Sequence, residues 1–379
     1  MNFKHDTTLE TLLLSEPDMI ECGVLDMHKC VKTMIDVFQI YETGDWRMSG
    51  KDGCLHGGIV TFPKDRPSFN MPEPTPDRRY VAMCGYLGGR FRACGGKYYG
   101  SNRENLSIGL PRSILTAFLN DTDTGAPLAI MSGCLISTMR TGAMPGVANK
   151  YLQASTAKTV GIVGAGVISH ACCLSLVDTM PNCEHIYVYD LFYEKSVAFC
   201  KEMTEMTGIP ADAVDSMEEL VRNSDAISLA SSGQNPAYVK SEWLRPGATI
   251  LISGGGKLDD ELYLDPETTL IVDCHRMHEH SMEAQKLPDG TIGPGARQYS
   301  TYQYFKLVEA GKVPFGRAVE LSKVVSGKYN PRTNDTHHAV FMSGGLALED
   351  VAWIYEMYQT ALRKGVGTRF KFWDEPHWK

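Results

Sequence analysis

Thr159-Val-Gly-Ile-Val-Gly164-Ala-Gly166-Val-Ile-Ser169 is the stretch that decides the fold. A short β-branched run enters a glycine turn, and a helical pattern over 167–178 leaves it. The spacing is GxGxxG with Ser169 in the third glycine's place. Gly164 permits the tight turn after the strand, and Gly166 lets a pyrophosphate approach the backbone. Ser169 is small enough for the close helix–strand packing the third position requires. The helix that starts here turns its free N–H groups and positive dipole end toward an anion. A GxGxxG alone is weak evidence, so its surroundings matter. A second strand, 186–189, ends in Asp190, an acid placed to accept hydrogen bonds from ribose hydroxyls and to repel a 2′-phosphate. The expected cofactor is therefore NAD rather than NADP, held by Gly164, Ala165, Gly166, Val167, Ile168 and Asp190. A glycine turn without a nucleotide is the alternative. Ser231 and Ser232 follow the strand 226–230, where ligands of doubly wound sheets bind; they are candidates to face the nicotinamide, with a plain turn as the alternative.

Outward from this loop the rhythm is strand, helix, strand, helix. Short apolar runs at 159–163, 185–189, 226–230, 249–253 and 269–272 alternate with helical patterns at 167–178, 194–206 and 217–222. That alternation predicts an α/β fold with a parallel sheet covered on both faces, a Rossmann domain over 151–330 closed by a helix at 315–328. Upstream, apolar spacing predicts a helix at 20–41, loops with short strands at 50–76, strands at 80–84, 113–119 and 128–131, and a helix at 135–153. Asp121-Thr-Asp-Thr-Gly125 between two of these strands is a hairpin signal. After the polar stretch 331–336 come a strand at 338–342 and an amphipathic helix at 347–364. The Rossmann domain is thus expected to be inserted into an α+β domain made of 1–150 plus 331–379.

The chain has 379 residues, 43% apolar and 22% charged, the mix of a globular protein of two domains. A net charge of −8 and a pI near 5.8 disfavour a nucleic-acid partner, which requires a basic surface. No run of about 18 apolar residues predicts a membrane span. The first 14 residues lack the apolar stretch of a signal peptide, and the expected location is cytoplasmic. Eleven cysteines, odd in number and irregularly spaced without a CxxC, read as reduced thiols rather than a disulfide scaffold.

Several separated motifs carry a family resemblance. Leu135-Ile-Ser-Thr-Met-Arg140-Thr-Gly-Ala143, followed by Ala148-Asn-Lys-Tyr-Leu152 and the glycine-loop strand, resembles the ornithine cyclodeaminase/μ-crystallin family. So do Gly95-Gly-Lys97-Tyr-Tyr-Gly100, the hairpin Asp121 to Pro127, and Gly344-Gly-Leu-Ala-Leu-Glu-Asp350 with Gly365-Val-Gly367. Within the family, Lys97-Tyr-Tyr-Gly-Ser101, Ile136-Ser-Thr-Met-Arg140 and Val188-Tyr-Asp190-Leu-Phe192 most resemble the opine-forming branch, which includes the N-(2-amino-2-carboxyethyl)-glutamate dehydrogenases. The resemblance implies hydride exchange with NAD at a carbon bearing nitrogen. It implies a small amino-acid or keto-acid substrate, and a homodimer or larger assembly with the first domain serving substrate and dimerisation.

Residue by residue, Arg140 matches the family arginine that grips the substrate carboxylate, a task its planar fork suits. Thr141 beside it joins the cofactor-binding set. Lys97 matches the substrate-contacting lysine, and a lysine in a closed site can also act as acid or base. Arg112, where cyclodeaminases carry a small hydroxyl residue, is a candidate for a second substrate carboxylate, with a structural arginine as the alternative. Arg47 and Arg79 are further carboxylate candidates. One departure matters: in Ser253-Gly-Gly-Gly256-Lys257-Leu-Asp259-Asp260, Gly256 stands where cyclodeaminases place their catalytic aspartate. Asp259 or Asp260 would have to substitute. The reading is accordingly an amino-acid or opine-type dehydrogenase or imine reductase, with a cyclodeaminase lyase as runner-up and a non-catalytic μ-crystallin-type binder as a third possibility. Asp273-Cys-His275-Arg-Met-His278-Glu-His280 has metal-ligand residue types, but it follows a Rossmann strand and is read as a loop and helix start; no metal is expected.

Overall fold

A computed structural model describes residues 7–75, 77–231 and 236–378. The chain forms two compact units whose boundaries fall at 26/27, 42/43, 137/138 and 345/346. Each unit is discontinuous in sequence.

The unit containing residues 43–137 is built on a sheet of eight strands among the described residues. Its order is Thr368–Trp373, Leu9–Leu14, Pro127–Ser132, Ser113–Asn120, Ala93–Ser101, Arg79–Leu87 and Trp46–Met48, with Gly58–Thr61 also pairing to Arg79–Leu87. All pairs are antiparallel except Leu9–Leu14 with Pro127–Ser132. The hairpin at Asp121 forms as the sequence predicts. The Asp121 carboxylate accepts the N–H groups of Asp123 and Thr124, and Gly125 takes the left-handed φ of +76°. Period-2 alternation turns Val81, Met83 and Lys97 to one face, where helix Ala347–Lys364 packs with Trp353 fully buried. The other face carries Val60, Tyr80, Tyr98 and Ile114. Val60, Tyr80, Gly100 and Ile114 stand in register across four strands, and the rings of Tyr80 and Tyr98 stack at 6.3 Å.

The other unit holds the parallel sheet, in the order Ala211–Ala213, His185–Tyr189, Thr159–Val163, Ala226–Leu229, Thr249–Ile252, Ala339–Met342, Thr269–Val272 and Val319–Glu320. Strand order reverses direction at Thr159–Val163, so the glycine loop leaves the sheet at its switch point. Ala226–Leu229, Thr249–Ile252 and Ala339–Met342 are buried at every residue, as expected of strands covered on both faces.

Three differences from the sequence reading have physical causes. Ala339–Met342, read with the first domain, pairs instead between Thr249–Ile252 and Thr269–Val272; four consecutive buried residues suit a central parallel strand. The polar stretch before this strand is fastened to the same unit. The Arg332 guanidinium donates to the carbonyls of Leu152 (2.5 Å), His337 (2.7 Å) and Gly247 (3.1 Å). The predicted helix 20–41 is broken by Gly23 at φ +85° into Glu16–Glu21 and Met27–Tyr41, and the second piece packs on helices Val167–Thr179 and Leu321–Val325 of the parallel-sheet unit. The predicted helix 315–328 shrinks to Leu321–Val325, because a 3-10 turn and the edge strand Val319–Glu320 use its first half and Gly327 (φ +75°) ends it. Among the described residues no helix is long and apolar enough to cross a membrane.

Candidate active site

Gly164 adopts φ +92°, the left-handed conformation its turn requires, and a Cβ there would meet Ser231 at 3.4 Å. Gly166 caps the N-terminus of helix Val167–Thr179 without a side-chain hydrogen bond, and the space a Cβ would take is open. The first turn thus offers N–H groups beside a cradle free of side chains, the arrangement that suits a pyrophosphate. Ala165 is half-buried, and Val167 is exposed beside this cradle. Asp190, ending His185–Tyr189, accepts from Ala165 N (2.8 Å) and Phe192 N (3.0 Å), which holds its carboxylate at the loop. These residues fit a dinucleotide. Ser231 lies against Gly164; Ser232 lies outside the described residues.

The glycine-loop helix is set by its neighbour, Cys134–Leu152. A Cβ on Gly142 would overlap Ala171, and one on Gly146 would overlap Ser175. Ser175 donates to the Gly142 carbonyl at 2.5 Å. Two glycines four residues apart therefore let the two helices touch backbone to backbone. Arg140 and Thr141 stand on this helix just before Gly142. Pro145, inside the same helix, has no N–H to give the Thr141 carbonyl four residues back. Arg140 is 5% exposed and abuts Gly345, where a Cβ would overlap its guanidinium. Cys172 and Cys173 fill the core behind the loop; burial pushes the Cys172 thiol up to about 12, so both are inert packing thiols.

In the other unit Lys97 is buried. Its ammonium donates to Ser137 Oγ at 2.9 Å and to Asp350 Oδ1 at 3.1 Å. Asp350, with no exposed surface, sits in the first turn of Ala347–Lys364, the end of a helix that favours an anion. Neither Asp350 nor Ser137 was singled out as a site residue from sequence. The available signal is an acidic pair, Glu349-Asp350, in the first turn of an amphipathic helix whose first turns are buried.

Arg112 faces a carboxylate of its own chain. Its Nε donates to Asp77 Oδ2 at 2.5 Å and its Nη2 to Oδ1 at 2.8 Å; Arg79 pairs with the same Asp77, and Ser101 donates at 2.9 Å. Burial raises the Asp77 carboxyl, but the Arg112 hydrogen bonds and the charges of Arg79 and Arg112 outweigh it and hold it at about 2. Two guanidinium groups on one carboxylate leave the cluster with a net positive charge. Arg47 spends its side chain on the carbonyls of Trp46 (2.6 Å) and Gly44 (3.3 Å).

Asp259 caps the short helix Asp260–Leu264 and accepts from the Tyr238 hydroxyl and Ser241 N (2.7 Å); Asp260 accepts from Gln303 Nε2 at 2.7 Å. Gly256 opens strand Gly256–Leu258, and a Cβ there would point at buried Leu229 (3.0 Å) and Ile252 (3.1 Å). Of the His-rich segment, His275 meets the Ala318 carbonyl at 2.5 Å and His278 meets Asp273 at 2.7 Å. Among the described residues no three His, Cys, Asp or Glu side chains are grouped to hold a metal.

The sequence profile of the ornithine cyclodeaminase/mu-crystallin family matches residues 25–365. The chain is 28% identical to the N-((2S)-2-amino-2-carboxyethyl)-L-glutamate dehydrogenase of Staphylococcus aureus over 295 residues, 76% of this chain and 81% of that one. Its structure is similar to that of Thermococcus litoralis Delta(1)-pyrroline-2-carboxylate reductase in complex with NADH and L-proline, with a TM-score of 0.77, 29% identity, and coverage of 94% and 99%. An archaeal alanine dehydrogenase dimer with bound NAD shares the fold at a TM-score of 0.77 and 24% identity, covering 96% of this chain and 100% of that one. This chain belongs to the ornithine cyclodeaminase/mu-crystallin family.

Proposed function

We propose that this chain is an NAD(H)-dependent oxidoreductase acting on the C–N bond of an α-amino acid or its imine, in the manner of opine dehydrogenases and imine reductases. When bound, the cofactor supplies or accepts the hydride at the α-carbon. The chain's own groups do the rest. The glycine cradle and uncapped helix end take the pyrophosphate, and Asp190 takes the ribose hydroxyls and disfavours a 2′-phosphate. Arg140 clamps the carboxylate with its planar fork. Lys97, poised on Ser137 and Asp350, contacts the substrate and serves the nitrogen, which gains a proton when an imine is reduced and loses one in the reverse direction. The positive Asp77–Arg79–Arg112 cluster is assigned to a second acid group, which fits a substrate of the opine class.

The observation that carries this reading is at Gly256. The position matched to the cyclodeaminase aspartate is a glycine whose Cβ direction is crowded by the side chains of Leu229 and Ile252, while Asp259 and Asp260 are engaged by Tyr238, Ser241 and Gln303. The residues matched to hydride chemistry are retained, and those matched to ring closure with ammonia loss are not. The unit with the glycine loop is assigned to the dinucleotide. The unit with the antiparallel sheet is assigned to substrate and to dimerisation through the exposed face of Val60, Tyr80, Tyr98 and Ile114. The test is NADH oxidation against a panel of 2-oxo acids with and without amino acids, with ammonia assayed in parallel from NAD and ornithine or lysine. NADH loss that requires both an oxo acid and an amine, or a preformed imine acid, is the expected result. Ammonia release without net NADH change would make the chain a cyclodeaminase. Tight NADH binding with no turnover would make it a binding protein.

A further inference from the structure

Strand Thr269–Val272 ends in Asp273, which has no exposed surface and accepts five hydrogen bonds. They come from Cys274 N (2.8 Å), His278 Nε2 (2.7 Å), Ser343 Oγ (3.3 Å), Gly344 N (2.6 Å) and Gly345 N (2.8 Å). A carboxylate only accepts, so His278 Nε2 carries the proton of that bond. Its other ring nitrogen, Nδ1, pairs with the Thr301 hydroxyl at 3.1 Å, and His278 and Thr301 are themselves buried. Burial pushes the Asp273 carboxyl up, but the charge and hydrogen bond of His278 and the two glycine N–H groups outweigh it, so the group stays ionised.

The far side of this cluster is Arg140. Gly345, whose N–H is on Asp273, sits at φ +82° with its α-carbon face against the Arg140 guanidinium, so closely that no side chain fits between them. Gly344 is packed as tightly against Met277 and His278. The Gly344–Gly345 turn is therefore gripped on one side by Asp273 and His278, and its other side is a wall for Arg140. A buried ionised network is a costly way to hold a loop that apolar packing would hold as well. It is an effective way to fix a turn to within a fraction of an ångström, because each bond is directional.

We propose that Asp273, His278 and Thr301 form a positioning relay that sets the Gly344–Gly345 turn and, through it, the orientation of the Arg140 guanidinium. The inference rests on Arg140 as the carboxylate clamp. Asp273, His278 and Thr301 are all buried, and their proposed role is to act through the geometry of Arg140. A clamp misplaced by about 1 Å is enough to cost a large factor in productive binding.

The experiment compares Thr301→Val, which keeps the shape and removes the hydroxyl, with Thr301→Ser, which keeps the hydroxyl; Arg140→Ala is the control. Steady-state kinetics use NADH and Delta(1)-pyrroline-2-carboxylate, NADH affinity is read by fluorescence, and each Thr301 variant is crystallised to locate Arg140. The expected result for Thr301→Val is a shifted guanidinium and a KM for the imine acid raised on the order of tenfold. Its kcat should stay within about twofold and its NADH affinity should be unchanged, with Thr301→Ser behaving as wild type. Arg140 in its original place in the Thr301→Val crystals, with only the melting temperature lowered, would overturn the relay. That crystallographic arm decides the matter even if pyrroline-2-carboxylate is not turned over. An Arg140→Ala enzyme that keeps its KM would instead overturn the clamp itself.

Discussion

Asp190 already accepts two backbone N–H groups, so its carboxylate is aimed before any ribose arrives. Hydrogen bonds to a charged group are worth about 1.5–3 kcal/mol, and Asp190→Ala should weaken NADH binding roughly tenfold or more while lifting discrimination against NADPH. Fluorescence titration with both nucleotides checks this, and unchanged NADH affinity would defeat the assignment. Asp350 makes a different kind of prediction. Asp350→Asn leaves the Lys97 ammonium buried without its counter-charge, which should cost about 3–5 kcal/mol of stability and most of the activity; urea unfolding and turnover would show it. Asp77 adds a pH signature. Its carboxyl is held at about 2, against about 3.9 when unfolded, so its contribution is complete above the unfolded value and fades as pH falls toward 2. Asp77→Asn should be about 2 kcal/mol less stable than wild type at pH 7, and the gap should close between pH 4 and 2; a gap independent of pH would contradict the charge argument. At this scale the sequence was informative about single residues and silent about their partners. Lys97 and Arg140 are visible in local motifs. Asp350 lies 253 residues from Lys97 and Asp77 lies 35 from Arg112, and only folding makes them neighbours.

Elements were legible where their pattern is local. Helix Ala347–Lys364 and strands Thr159–Val163 and His185–Tyr189 have the bounds their periodicity implies. Ala93–Ser101 shows in sequence only as a motif, because two adjacent glycines and two tyrosines beside a lysine obscure its alternation. Leu9–Leu14 and Thr368–Trp373 were missed because their pairing joins the two ends of the chain. Gly142 stands in a family motif and Gly146 lies outside it, and the use of the pair depends on helix Val167–Thr179 packing against them. Gly142→Ala places a methyl group inside Ala171 and must push the two helices apart. Overpacking of this kind costs about 1–3 kcal/mol. The glycine loop rides on one helix and Thr141 on the other, so NADH affinity should fall together with the melting temperature. A variant that loses stability and keeps full NADH affinity would uncouple the helix contact from the loop.

The chain as a whole is two units, each threaded from separated segments, and that threading is what linear reading handled least well. Residues 27–42 belong with the parallel-sheet unit although segments of the other unit flank them in sequence, and residues 339–342 join the same sheet just before the chain returns to the other unit at 346. A strand that is apolar throughout carries no mark of which sheet it enters; only its neighbours decide. The exposed face of the antiparallel sheet poses the remaining whole-molecule question. Val60, Tyr80, Tyr98 and Ile114 are each between 41% and 58% exposed and share one face of the sheet on neighbouring strands, a larger patch than isolated surface apolar residues produce. A second copy of the chain, meeting this face by two-fold symmetry, would bury the same patch from both sides. Sedimentation equilibrium should then give twice the 41.9 kDa chain mass. Tyr98→Asp or Ile114→Asp should shift the protein to the monomer, because a charge buried without a partner at such an interface costs several kcal/mol. Both positions point away from the face that carries Lys97, so the substituted monomers should still bind NADH. A wild-type protein that sediments as a monomer, or aspartate variants that stay dimeric, would show that this face serves something other than self-association.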